Sequence, residues 1–171
     1  MSKYAFITGA TSGIGLATAK ALAAGGYDLA LAARNEGKLS SVKADIEKEF
    51  YVLDVREPEE IRKTVAACLA AFGAPDVLVN DAGLARGLEP YAETKEEDIL
   101  QMIDTNIKGL FLVTRAFLPS MLERNSGHIV NLGSTAGLYA YAGAAVYCST
   151  KAAVKTFSDG IRIDVIDSDI K

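Results

Sequence analysis

Tryptophan is absent from this chain of 171 residues, histidine occurs once, and cysteine and proline are scarce, at 2 and 4 residues. Two cysteines cannot form the dense disulfide framework of small secreted domains, and with one histidine they argue against a zinc site. Cys68 and Cys148 lie in apolar or helical settings and read as small core residues or free thiols. Long hydrophobic runs are missing too: none approaches the roughly 18 residues of a membrane span. Positive charge is not in excess, since 18 Lys and Arg face 22 Asp and Glu for a formal net charge of -4. That balance gives no electrostatic footprint for nucleic acid and disfavours anionic membranes as partners. Met1-Ser2-Lys3 runs directly into Tyr4-Ala5-Phe6-Ile7, without the apolar stretch and small-residue cleavage site of a signal peptide. The expected location is therefore the cytoplasm.

What remains suits one globular domain, half of its residues being hydrophobic. Short β-rich runs at Tyr4–Thr8, Asp28–Ala32, Tyr51–Leu53, Val77–Asn80 and His128–Leu132 alternate with helical patterns. The helices are predicted at Gly13–Ala24, Gly37–Lys48, Pro58–Phe72, Lys95–Arg124 and Val146–Val165. In the third of these, Ile61, Val65, Cys68, Leu69 and Phe72 share one face, and Pro58 fits the first turn. Alternating strands and helices imply parallel pairing, hence a Rossmann-type doubly wound parallel sheet in a three-layer αβα arrangement. Two joints are irregular. The second helix meets Tyr51 with almost no connection, so either it frays early or residues are missing there. The chain also stops at Ile170-Lys171, where another strand could begin.

After the first strand comes Thr8-Gly9-Ala10-Thr11-Ser12-Gly13-Ile14-Gly15. The glycines turn the chain tightly into a helix and let its backbone approach a pyrophosphate, which the free N–H groups of the helix start attract. A plain tight turn, or a flavin or methyl-donor site, uses similar residues. The second strand ends Leu31-Ala32-Ala33-Arg34-Asn35, without the carboxylate that bonds the ribose 2′-hydroxyl of NAD. Arg34 could instead pair with the 2′-phosphate of NADP, or simply be solvated at a loop start.

Tyr147 and Lys151 are four residues apart on a predicted helix and share a face, where an ammonium stabilises a nearby phenolate. Such a pair arises easily by chance, and a second exists at Tyr91 and Lys95. That one lies in an acidic stretch and reads as surface. Thirteen residues before Tyr147 stands Ser134, at the end of the fifth strand and on the same sheet edge as the Gly-rich turn. His128 precedes that strand on the opposite edge, which argues against a catalytic role. Asn106 sits among Ile103, Ile107, Leu110 and Phe111 and needs a hydrogen-bond partner, for which a bound water is expected.

Thr8-Gly9-x-x-x-Gly13-Ile14-Gly15 together with Ser134-x12-Tyr147-x3-Lys151 resembles the short-chain dehydrogenase/reductase family over nearly the whole chain. The resemblance implies NADP (NADPH) rather than NAD, held by Gly9, Thr11, Ser12, Gly13, Ile14, Gly15, Arg34 and Asn35. It adds Asp54 and Val55 beside the adenine, Asn80, Ala82 and Gly83 at the adenosine ribose, and Tyr147 and Lys151 at the nicotinamide ribose. Asn80-Asp81-Ala82-Gly83 departs from the family's N-N-A-G by placing Asp81 at the second position. The implied catalytic set is Asn106, Ser134, Tyr147 and Lys151. Hydride passes between nicotinamide and a small carbonyl or alcohol, Tyr147 is the acid/base, Ser134 orients the oxygen, and Asn106 positions a water for proton refill through Lys151.

Asp104-Thr105-Asn106, Gly133-Ser134-Thr135-Ala136-Gly137 and Tyr141-Ala142-Gly143 are similar to the bacterial NADP-dependent 3-hydroxy acid dehydrogenases. These act on L-serine, allothreonine or malonic semialdehyde, while related members reduce other ketones such as 3-oxoacyl groups. Family members continue beyond Lys171 with a sixth strand, a Pro-Gly turn, a substrate loop and a last strand. The expectation is a single domain incomplete at its C-terminus. A non-catalytic nucleotide-binding module, or an inactive fragment of such an enzyme, stands as the alternative. The segment Ile99–Met121 is apolar on more than one face, which together with the resemblance implies a homodimer or homotetramer.

Overall fold

The computed structural model describes residues 3–45, 49–87 and 89–171. Five parallel strands form one sheet in the order β3-β2-β1-β4-β5. They are β1 (Tyr4–Thr8), β2 (Asp28–Ala33), β3 (Glu49–Val52), β4 (Val77–Asn80) and β5 (His128–Asn131). The helices are α1 (Gly13–Ala24), α2 (Glu36–Asp45), α3 (Pro58–Phe72), α4 (Glu96–Ile103), α5 (Leu110–Arg124) and α6 (Ala145–Asp164). The order reverses beside β1, the switch point at which doubly wound sheets bind ligands.

The strands alternate their side chains between two helical layers, as the pleat requires. Phe6, Ala30, Ala32 and Leu78 face one layer, with Ile61 and Val65 of α3 and Val113, Phe117 and Met121 of α5. Ala5, Ile7, Leu29, Leu31 and Val79 face the other, against Ala19 of α1 and Val42 of α2. Because both faces are covered, β1 is buried at every residue. Phe6 and Phe117 are fully buried, their ring centroids 4.8 Å apart.

Three expectations shift. First, β3 begins at Glu49, because Glu49 to Val52 pair in register with Ala30 to Ala33. The predicted helix to Lys48 is observed to Asp45, and residues 46–48, where the tight joint falls, lie outside the described residues. Second, the single helix expected over Lys95–Arg124 is divided by a π-helical turn at Asp104–Gly109. Third, β5 has a companion, since Ile170 forms a parallel bridge with Gly127 and Lys171 exchanges backbone bonds with Gly127 and Ile129. The chain thus returns to the sheet where the sequence suggests a further strand.

Candidate active site

The strand register levels the carboxyl ends of the sheet. Thr8 pairs with both Ala32 and Asn80, Ala33 with Val52, and Asn80 with Asn131. A cleft of about 310 Å³ opens along this edge. Its walls come from the turn after β1 (Gly9, Thr11, Ser12), the end of β2 (Ala33, Arg34, Asn35) and the segment after β4 (Asp81, Ala82, Gly83).

The Gly-rich turn is packed tightly against that last segment. Gly9 has φ +70°, and a Cβ on it would lie 2.9 Å from the Ala82 nitrogen; one on Gly15 would lie 2.5 Å from Asp81 Oδ2. The Thr8 hydroxyl accepts from the Asp81 and Ala82 N–H groups, both at 3.1 Å, and fixes the crossing. Ser12 stands at the start of α1 and lines the cleft, its side chain making no cap bond. Two further cleft-lining atoms, Asp81 Oδ1 and Thr105 Oγ1, are buried without a partner. Gly13, Ile14 and Gly15 form the first turn of α1 behind the lining, with Ile14 exposed.

At the end of β2 the lining carries Arg34 and Lys38 and no carboxylate. Asn35 caps α2 there by accepting the Lys38 N–H at 2.8 Å. Lys38 escapes a linear reading because it lies a helical turn away from the strand end. Val55 lines the cleft, but Asp54 does not. The carboxylate expected to receive an adenine amino group is engaged by Arg56, whose Nε lies 3.0 Å from both of its oxygens. Burial pushes the Asp54 carboxyl up, but the Arg56 bonds outweigh it and hold the carboxyl below its usual value. Asn80 is likewise turned inward. Its Nδ2 donates to Thr114 and Asn131, both at 2.9 Å, and Asn131 donates to Ser158, so it ties β4 to β5, α5 and α6.

Beyond Gly83 the expected catalytic residues converge. Ser134 caps a 3-10 turn, Thr135–Gly137, by accepting the Ala136 N–H at 3.1 Å, which leaves its hydroxyl proton available. That turn rests directly on α6: a Cβ on Gly137 would lie 2.7 Å from the Lys151 carbonyl oxygen. Lys151 is buried and donates to the Leu132 carbonyl at 2.8 Å, while its Nζ is 6.0 Å from the Tyr147 ring centroid. Burial lowers its pKa, and the Asp81 charge opposes the shift. Tyr147 is half-buried, packed against Ala136, Ala144 and Cys148.

Asn106 lies in the π turn, and its side chain finds partners in the protein. Its Oδ1 accepts the Leu84 N–H at 2.9 Å, and its Nδ2 donates to the Leu84 carbonyl and the Thr150 hydroxyl. The π turn therefore clasps the segment after β4 and α6 together. A second cavity, of about 230 Å³, is lined by Tyr147 together with Arg86, Tyr91 and Tyr141. Tyr91, read from the sequence as plain surface, is exposed but borders this cavity.

Residues 3–171 match the short chain dehydrogenase family. Over 161 residues the chain is 44% identical to the NADP-dependent 3-hydroxy acid dehydrogenase of Escherichia coli strain K12, covering 93% of this chain and 65% of that protein. It is 41% identical over 170 residues to sulfoacetaldehyde reductase 2 of Chromohalobacter salexigens, covering 96% of this chain and 68% of that one. A serine dehydrogenase solved in a closed form with NADP+ superposes with a TM-score of 0.95 at 40% identity, over 98% of this chain and 68% of that one. The chain thus spans about two thirds of the length of these relatives. Its match over nearly every residue, on a parallel sheet whose open edge gathers Ser134, Tyr147 and Lys151, makes it a member of the short-chain dehydrogenase family.

Proposed function

We propose that the chain is the cofactor-binding and catalytic part of an NADP-dependent oxidoreductase acting on a small carbonyl or alcohol that carries an acid group. The observation that carries this reading is the buried Lys151, held on the Leu132 carbonyl with its ammonium beside the Tyr147 ring. The cleft suits a dinucleotide: the close Gly9–Ala82 crossing leaves backbone at the lining, and Asp81 and Thr105 present unpartnered polar atoms to it. Arg34 and Lys38 supply positive charge where a 2′-phosphate would lie, and the missing carboxylate favours NADP over NAD. The names of the relatives, an NADP-dependent 3-hydroxy acid dehydrogenase and a sulfoacetaldehyde reductase, support both the cofactor and an acidic substrate.

When bound, the nicotinamide supplies or takes the hydride. The protein handles the charge and the proton. As negative charge develops on the carbonyl oxygen, Tyr147 donates its phenolic proton and Ser134 donates a hydrogen bond from its hydroxyl. Lys151 stabilises the resulting phenolate by its positive charge. Asn106 acts at one remove, by holding Leu84 and Thr150 and hence the floor of the pocket. In the oxidative direction Tyr147 accepts the alcohol proton. Exposed Leu122 on α5 and Ile163 on α6 fit burial in a homodimer or homotetramer.

The test is Tyr147→Phe, which keeps the ring packing and removes the proton. NADPH oxidation with small semialdehydes should fall by at least about 1,000-fold while NADPH binding, followed by fluorescence, stays within a few-fold. Turnover close to that of the unmodified chain would sink the assignment.

A further inference from the structure

Six of the seven arginines of this chain fall into two groups; Arg115, exposed on α5, stands outside both. Arg56, Arg62, Arg124 and Arg162 each hold a carboxylate: Asp54, Glu59, Asp76 and Asp159. Arg34 and Arg86 hold none among the described residues, and each lines a cavity. Arg34 stands in the dinucleotide cleft. Arg86 stands in the second cavity, which Tyr147, Ala142 to Val146 and Tyr91 also line. A guanidinium left without an anion, in the same cavity as the acid/base phenol, is placed to bind one end of a substrate whose other end reacts.

We propose that Arg86 binds the acid group of the substrate, a carboxylate or sulfonate, and so sets the preference of this site for acidic carbonyl compounds. The proposal rests on the oxidoreductase reading above and names the residue that would recognise the acid. Planar guanidinium suits it, because its fork meets two oxygens of either anion at once. Cavity size agrees: about 230 Å³ is below the roughly 300–1,000 Å³ of pockets for drug-sized ligands, as a short acid requires. Glu89 lines the same cavity, but its carboxylate folds back over Gly87, 2.5 Å from where a Cβ would stand, and it already has a partner in the protein. Arg86 is exposed at the cavity mouth, so it keeps part of its hydration until the substrate arrives.

The test compares a short aldehyde acid, the sulfonate of the same length and the methyl ester of the acid, with NADPH as reductant. The full chain is assayed with Arg86 intact and as Arg86→Gln and Arg86→Lys. In Arg86→Gln the ratio of kcat/KM for acid over ester should fall about 10–100-fold, chiefly through KM. Arg86→Lys should recover part of it, since it keeps the charge without the fork. A fall confined to the carboxylate or to the sulfonate supports the proposal and identifies the acid. An unchanged acid-to-ester ratio in Arg86→Gln overturns it, as does an unmodified chain that turns over acid and ester equally. Failure to oxidise NADPH with any of the three overturns the oxidoreductase reading itself, a result separate from an unchanged ratio. A ratio cancels any general loss of folded protein, so an unstable variant still reports.

Discussion

Asp81 stands where the segment after β4 crosses the start of α1. Its carboxylate accepts the Gly15 N–H and feels the Lys151 charge, yet one oxygen is buried without a partner. Burial raises its pKa, against the pull of Gly15 and Lys151. Because folding raises the value, the stability linked to protonating Asp81 is complete below the unfolded value and is lost as pH rises through the folded one. Asp81→Asn keeps an acceptor for Gly15 and removes the charge. It should therefore melt above the unmodified chain near neutral pH, and the gap should close as pH falls towards about 3.9. A pyrophosphate at the α1 start meets less repulsion in that variant, so NADPH should bind more tightly, with a flatter pH dependence. A lower melting temperature at neutral pH would contradict this account. The sequence marks Asp81 as a departure from the family's second Asn. What it cannot supply is the orphaned oxygen, which depends on a neighbour 66 positions earlier in the chain.

At the scale of elements, two short irregular turns hold the site. The 3-10 turn Thr135–Gly137 lies on α6 at Lys151, with no room for a Cβ at Gly137. Gly137→Ala should cost about 1–3 kcal/mol of stability through overpacking. It should also lower turnover more than NADPH affinity, because the displaced parts are Ser134 and Lys151 rather than the Gly-rich turn. Thermal melts with parallel binding and rate measurements separate the two effects; equal losses in both would contradict it. The other turn is the π segment at Asp104–Gly109. Helical periodicity carries through this region, so the sequence reads as one helix from Lys95 to Arg124. A single inserted residue barely disturbs an apolar pattern, but it turns Asn106 onto Leu84 and Thr150, 22 and 44 residues away. Local pattern reports periodicity well and reports partners at such separations poorly.

The whole molecule is a sheet clad on both faces, and its two cores differ in weight. The layer around Phe6, Phe117, Met121 and Leu78 holds the buried aromatics and methionine, while the α1 layer packs Ile7, Leu29 and Leu31 of the sheet against small residues, Ala10 and Ala19. Small residues there bring α1 close to the sheet and keep its N-terminus at the cleft. Phe117→Ala should destabilise the chain by about 3–5 kcal/mol, by lost transfer energy and a cavity between β1 and α5. Denaturant unfolding would read this, and a loss below 1 kcal/mol would mean that the layer had re-packed around the gap.

The sequence by itself determined the alternation of strands and helices, the turn after β1 and the register of Ser134, Tyr147 and Lys151. All of these are written in short-range spacing, which the periods of strand and helix convert directly into faces and edges. Only the tertiary structure decided that Asp54 pairs with Arg56, that Asn106 bonds Leu84 and Thr150, and that Lys38 joins Arg34 at the cleft. It alone placed Arg86 in the cavity beside Tyr147. Those outcomes depend on which loop ends meet once parallel strands are brought level, and on which charges find a partner there, and neither is encoded in the spacing of neighbours along the chain.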